Sequence, residues 1–175
     1  MCIRYSDEGC RMMKNSLRFL LYLTFVVWLG GEIFFPITAA VSFETLSPHV
    51  AAAGAIVGHL IRILHQMGLV AGLLAVILLA LARRSTFGRP RAALVPMALL
   101  VAMLAATAYS QYHIIPAMER DRIAAGGVIH ASDTGNPYVR NFNSLHRQSV
   151  WLEETITLLG LISLGLVVRA DSPGR

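Results

Sequence analysis

Four apolar runs, each about as long as a bilayer is thick, constrain the fold of this chain more than any other feature. A hydrocarbon core of about 30 Å needs about 20 helical residues to cross it. Four segments reach that length, at residues 19–43, 63–82, 92–118 and 150–168. Only 14% of the residues are charged, against roughly a quarter in soluble domains. The pattern predicts an integral membrane protein with four helical spans.

Short connections between the spans make consecutive helices antiparallel, which predicts an all-α, up-down four-helix bundle. Several helices should outgrow the bilayer. A helix from Ser47-Pro48 to Arg84 would be roughly 54 Å long. The third should end before Gly126-Gly127, and the fourth should begin after Asn136-Pro137. The extra length falls on one side, so we expect a helical stub beyond the outer face, with residues 130–137 at its tip.

The chain divides into a single membrane domain with two tails. Residues 17–169 form the predicted four-helix transmembrane domain, and residues 170–175 form a C-terminal tail. Residues 1–16 are predicted to be an N-terminal cytoplasmic tail, although Met12 and Met13 leave open a later start codon. Cys2 and Cys10 both lie in this tail and form no CxxC motif, so the sequence predicts no disulfide framework.

Arginine and lysine in the flanks indicate the orientation. Ten of them lie on the side of the two termini and five on the other side, which favours both termini in the cytoplasm of a bacterial inner (plasma) membrane. The net charge of +5 comes from these flanking residues. Because they form no basic face with interleaved aromatic residues, nucleic-acid binding is not expected.

Polar residues of all four helices converge on one depth. The first and third helices run outward and the second and fourth run inward, so these residues all fall in the outer half, above an apolar plug. Ionisable groups within the hydrocarbon usually face the bundle interior. The sequence therefore predicts a polar centre there, with the ligand candidates Glu32, His59, Arg62, His65, Gln66, Tyr112, His113, His146, Ser149 and Glu153.

Several interpretations of this centre remain open. An ion pair of Arg62 with Glu32 or Glu153 would explain it without a ligand. A divalent metal on His59, His113 and His146 is a second interpretation, although no HxxH or HExxH spacing supports it. Haem between two histidines is a third. Without a nucleophile elbow or oxyanion-hole motif, we expect no enzymatic activity, and no cofactor is predicted.

Glycines recur on three of the four predicted spans. Small residues let helix backbones approach closely in membranes, and two pairs on the second helix have the small-xxx-small spacing. We expect a role in helix packing for Gly30, Gly31, Gly54, Gly58, Gly68, Gly72 and Gly160.

Three motifs together resemble a known family. They are WLGGEIFF in the first span, AGAIVGHLIRILHQMGLVAG in the second, and NSLHRQSVWLEE at the start of the fourth. With the pattern of Phe142, Leu145, His146 and Ser149, they are similar to the transmembrane protein 205-like membrane domain over residues 17–168. That resemblance implies four membrane helices and little about activity. Its animal namesake is associated with resistance to platinum drugs.

The leading functional hypothesis is a non-enzymatic membrane protein that binds or passes a small polar or cationic solute at the polar centre. The alternatives are an accessory or redox subunit that holds haem, quinone or metal, and a packing subunit without a ligand. The expected partner is the lipid bilayer, with a homo-oligomer or a larger membrane complex left open.

Overall fold

The computed structural model describes residues 7–85, 90–129, 133 and 135–171. Over these residues the chain is all-α and has the four long apolar helical segments that the sequence predicts. A 3-10 turn at Pro90–Ala93 precedes the third segment, and a wide π turn at Ser110–Ile114 divides it. The helices are α1 (Asp7–Thr45), α2 (Val50–Ser85), α3 (Leu94–Tyr109), α4 (Ile115–Ala124) and α5 (Pro137–Asp171).

Parts of the predicted tails and tip loop lie outside the described residues. These parts are residues 1–6, 130–132, 134 and 172–175, and residues 86–89 of the connection between α2 and α3. The predicted N-terminal tail is helical from Asp7 onward, because α1 begins there.

Helix ends follow the local chemistry in two cases out of three. α5 begins at Pro137, one residue before the predicted start after Asn136-Pro137, and Asn136 Oδ1 accepts a hydrogen bond of 3.0 Å from the Tyr138 amide. α4 ends just before Gly126 and Gly127. Their φ angles are 97° and 91°, values that glycine adopts readily. The predicted start of α2 at Ser47-Pro48 is wrong. The Pro48 carbonyl accepts from the Val50 amide in a tight turn, so the helix begins only at Val50.

The four segments form a ring in which α1 packs between α2 and α5, and α3 packs between the same two helices. One apolar core fills the ring between them, and it includes Phe25, Trp28, Leu79, Leu100 and Ile156. The architecture is the predicted up-down four-helix bundle.

Trp28 occupies the middle of this core, and glycines make room for its indole. A Cβ atom added at Gly68 would lie 2.7 Å from Trp28 Nε1, and one at Gly72 would collide with the far edge of the ring. Backbone therefore lies flat against both ends of the indole, and α2 can approach α1 closely.

The predicted packing glycines divide into two groups. A Cβ at Gly31 would lie 2.6 Å from Leu64, and one at Gly160 would lie 3.0 Å from Met103, so these two also mark close helix contacts. At Gly30, Gly54 and Gly58 nothing lies within 4 Å of the added atom. Close packing within the bundle explains Gly31, Gly68, Gly72 and Gly160. It does not explain Gly30, Gly54 and Gly58.

The two ends of the bundle differ, and we name them by their residues. At the terminal end Arg18 Nε lies 2.7 Å from Asp171 Oδ1, and the Tyr22 hydroxyl donates to Asp171 Oδ2 at 3.2 Å. At the projecting end Asn141 donates to Asp121, and Arg122 contacts Glu119 at 2.7 Å. A span of about 20 residues counted from the terminal end leaves about 18–20 Å of α2, α4 and α5 beyond the bilayer. This is the predicted stub.

Candidate functional site

Each side of the helical ring contributes polar side chains to one layer within the bundle, which we call the acid centre. It consists of Glu32 on α1, His65 on α2, Ser110 and Gln111 in the π turn, and Glu153 on α5. Glu32 is only 4% exposed and His65 is completely buried. A polar layer inside apolar helices must satisfy its own hydrogen bonds, and its contacts therefore define what it can bind.

Glu153 is the hub of the acid centre. Its Oε1 atom lies 2.7 Å from His65 Nε2, and it accepts a longer hydrogen bond of 3.4 Å from the Ser110 hydroxyl. The carboxylate therefore fixes the His65 ring across the bundle, and it also touches the π turn. A histidine–carboxylate contact of this length is a strong, charge-assisted hydrogen bond when the imidazole is charged.

The second nitrogen of His65 faces Gln111. His65 Nδ1 lies 3.3 Å from Gln111 Oε1, and a hydrogen bond to that oxygen requires a proton on Nδ1. With Nε2 donating to Glu153, both ring nitrogens then carry protons and the ring is the imidazolium cation. If the Gln111 amide is turned over, its NH₂ group donates to Nδ1 and the ring is neutral. The pair thus accommodates either state of His65.

Glu32 forms the floor of the acid centre. Its Oε1 accepts a hydrogen bond of 3.2 Å from the Trp28 indole, and its carboxyl group lies within hydrogen-bonding reach of Glu153. Two ionised carboxylates have only acceptors and cannot bond to each other. The contact becomes a hydrogen bond when one of the two carries a proton. Without that proton, two negative charges would face each other in a buried place.

Two buried oxygen atoms near this layer have no fixed donor. Glu153 Oε2 is inaccessible to solvent and has no ordinary hydrogen-bond partner, and the same holds for the hydroxyl of Thr107, which lies one turn before Ser110. Most buried polar atoms in proteins are satisfied. The unsatisfied Oε2 atom of Glu153 is therefore free for a proton or a ligand.

The π turn explains how Ser110 and Gln111 reach the centre. Pro116 has no amide hydrogen, and in a regular helix its ring would collide with the carbonyl of Tyr112, four residues earlier. A widened turn directly before it relieves that conflict, and such turns often occur at functional sites. A helical wheel of 100° per residue could not predict this turn. The sequence signal for it was Pro116, because a proline inside an apolar helix disturbs the turn before it.

Helix lengths locate the acid centre relative to the bilayer. About 20 residues of span counted from Arg18, Arg83, Arg91 and Arg169 place the second boundary near Thr38, Ile63, Gln111 and Ser149. Glu32 then lies about 9 Å and Glu153 about 6 Å inside it. Exposed aromatic residues at the same level, Tyr109, Tyr112 and Trp151, are typical of a membrane interface. The centre lies just within the hydrocarbon at the projecting end.

The other predicted ligand residues on α2 lie outside the acid centre. His59 and Arg62 are exposed, and Gln66 lines an apolar groove of about 590 Å³ between α1 and α2. Neither predicted ion pair of Arg62 is formed among the described residues. Arg62 instead lies close enough to Glu119 to influence it electrostatically. Glu153 contacts His65, one turn deeper on α2.

The remaining candidates lie on the third and fourth segments. Tyr112 and His113 are exposed, and the His113 ring stacks on Tyr109 with centroids 5.4 Å apart. His146 is also exposed and stacks on Phe142. Ser149 is buried one turn from Glu153. Of the ten predicted residues, the structure brings Glu32, His65 and Glu153 together.

The three metal candidates do not meet. His59, His113 and His146 are exposed on three different segments. Within the described part of the chain, no group of three or more His, Cys, Asp or Glu side chains has the geometry to hold a metal ion. The predicted metal interpretation therefore has no ligand set in residues 7–85, 90–129 and 135–171.

Four membrane-length helices around a buried acid centre define the class: this is an integral membrane protein of the four-helix type. The sequence model of a family described as a domain of unknown function, DUF4149, matches residues 23–122, more than half of the chain. The chain belongs to this family. The match includes Glu32, His65 and Gln111, and it ends before Glu153. No curated protein and no solved structure matches the chain.

Proposed function

We propose that this membrane protein binds a small cation, of which the proton is the smallest, at the acid centre. The observation that carries the proposal is the pairing of Glu32 with Glu153, a carboxyl pair whose neighbours include one imidazole. Among the described residues, no arginine or lysine forms an ion pair with either carboxylate. Buried carboxylates need a compensating positive charge, and a cation from solution would supply it.

Access from one side favours binding over passage. The centre lies close to the boundary at the projecting end, and Glu153 keeps 15% of its side chain accessible. Toward the terminal end, Trp28 is packed against Gly68 and Gly72 and is 1% exposed. The apolar core continues below it. A cation that enters from the projecting end meets a closed floor, which supports binding at the centre over passage through the bundle.

Thermal unfolding in lipid nanodiscs tests the binding. We expect the melting temperature of the protein to respond to pH, or at fixed pH to sodium, zinc or methylammonium. A ligand at 100 times its Kd stabilises a folded protein by about 2.7 kcal/mol. Glu32→Gln and Glu153→Gln should lose the response. Glu154→Gln, an exposed neighbour, is the matched control and should keep it. A melting temperature indifferent to pH and to all three cations would contradict the proposal and favour a packing subunit.

The orientation is part of the proposal. Ten arginine and lysine residues on the terminal side against five on the other support cytoplasmic termini in a bacterial inner membrane. The acid centre would then face the outside. With Cys2 and Cys10 replaced by serine, an impermeant thiol reagent added to intact cells should label Asn136→Cys and should not label Ala92→Cys. Labelling only at the second position would reverse the orientation.

The similarity to the transmembrane protein 205-like domain belongs with these proposals. Its support is the set of motifs in the first, second and fourth spans. Two of those motifs contain acid-centre residues, Glu32 in WLGGEIFF and Glu153 in NSLHRQSVWLEE. If the likeness is one of descent, it would place the same carboxyl pair in that group.

A further inference from the structure

We propose that the cation held by the acid centre is a proton, shared by the carboxyl groups of Glu32 and Glu153 and delivered through His65. This inference rests on the proposed function and narrows it to one ion. It follows from three features of the centre. The two carboxyl groups are in contact, the Oε1 atom of each already accepts a hydrogen bond, and the chain of hydrogen bonds ends at Trp28.

The carboxyl contact needs one proton. The titratable groups that face it come from three elements, with Glu32 on α1, His65 on α2 and Glu153 on α5, while the π turn supplies the neutral Ser110 and Gln111. Among the described residues no donor reaches Glu153 Oε2, so the protein itself supplies no group that bridges the two acids. A single shared proton converts two facing acceptors into a hydrogen bond and removes one buried negative charge.

A metal or an organic cation would have to displace existing hydrogen bonds. Glu32 Oε1 already accepts from Trp28, and Glu153 Oε1 accepts from His65 and Ser110. Hard cations take about six oxygen ligands and zinc takes four ligands. Among the described residues, the side chains of the centre do not form a group of three or more His, Cys, Asp or Glu with the geometry to hold a metal ion. A proton needs only the space between two oxygens.

The hydrogen bonds also provide a route with one open and one closed end. Gln111, at the membrane boundary, contacts His65 Nδ1, and His65 Nε2 contacts Glu153 Oε1. When the neutral ring carries its proton on Nε2, His65 Nδ1 takes up a proton from water on the side of Gln111 and Nε2 passes its own proton to Glu153 Oε1. The ring is then neutral again, with its proton on Nδ1. Beyond Glu32 the chain reaches Trp28, whose indole N–H donates and cannot accept. The proton therefore stops at the carboxyl pair.

Infrared difference spectroscopy of the protein in nanodiscs tests this directly. At neutral pH we expect the carbonyl stretch of a protonated carboxylic acid, shifted by deuteration. The band should disappear in both Glu32→Gln and Glu153→Gln and persist in the matched control Glu154→Gln. Circular dichroism of the helices identifies any variant that has unfolded. The band of the wild type tests the proposal even if both variants unfold.

Cation competition separates this inference from the broader function. Sodium, zinc or methylammonium added to the wild type should leave the band unchanged. If one of them removes the band, that cation occupies the centre, and the proton assignment is overturned while cation binding stands. A wild type with no such band and no response to any cation would overturn both.

Discussion

Replacement of Trp28 by alanine is expected to lower the free energy of unfolding by about 3 to 5 kcal/mol, the usual cost of removing a large buried aromatic side chain. The indole fills the space above Gly68 and Gly72 and donates to Glu32. Its loss would leave a cavity and an unpaired carboxyl oxygen. Reversible unfolding in mixed detergent micelles, followed by circular dichroism, measures the change.

The second tryptophan provides the control. Trp151 is 70% exposed, so Trp151→Ala should change the free energy of unfolding by less than about 0.5 kcal/mol. Trp28→Phe separates packing from hydrogen bonding, because it keeps most of the ring and loses the indole N–H. We expect an intermediate loss of about 1 to 3 kcal/mol from the unsatisfied Glu32 oxygen. Equal losses for Trp28→Ala and Trp151→Ala would contradict the central place of Trp28 in the core.

His65→Leu is expected to destabilise the protein by about 1 to 3 kcal/mol, because it leaves the Glu153 carboxyl group without the imidazole that contacts it. Glu153 would lose its 2.7 Å contact and would still face Glu32. The same unfolding measurement applies. The double variant His65→Leu, Glu153→Leu should recover part of the loss, since an apolar pair of similar volume needs no partner, while Glu32 loses its carboxyl contact.

The exposed His59 lies on the same helix and supplies the comparison for this experiment. His59→Leu should leave the free energy of unfolding within about 0.5 kcal/mol of the wild type. If His65→Leu is as mild as His59→Leu, the acid centre does not depend on the imidazole. If the double variant is worse than the single one, the contact of Glu153 with Glu32 stabilises the protein more than its contact with His65 does.

The architecture could be predicted because it depends on lengths and compositions. Apolar runs of about 20 residues leave a chain few alternatives in a bilayer, and Asn136-Pro137 and Gly126-Gly127 mark helix ends by known local chemistry. Depth was also predictable. Direction and residue count alone placed Glu32, His65 and Glu153 at one level of the bundle.

The contacts within that level could not be predicted, for two physical reasons. A helical wheel assumes 100° per residue, and the π turn breaks that rule, so Gln111 contacts His65 while Tyr112 and His113 are exposed. A wheel also gives no rotation of one helix against another. Arg62 and His65 are one turn apart on α2, and only the packed bundle shows that the imidazole meets Glu153 while the guanidinium stays at the surface.

The π turn has a consequence for comparing related chains. A wide turn of this kind is equivalent to one extra residue inserted into an α-helix. A relative that lacks it would be one residue shorter between Thr107 and Pro116. Such a deletion would rotate everything before it by about 100° relative to α4. A single-residue gap at this point in an alignment would therefore mark chains in which Ser110 and Gln111 no longer reach the histidine–acid pair.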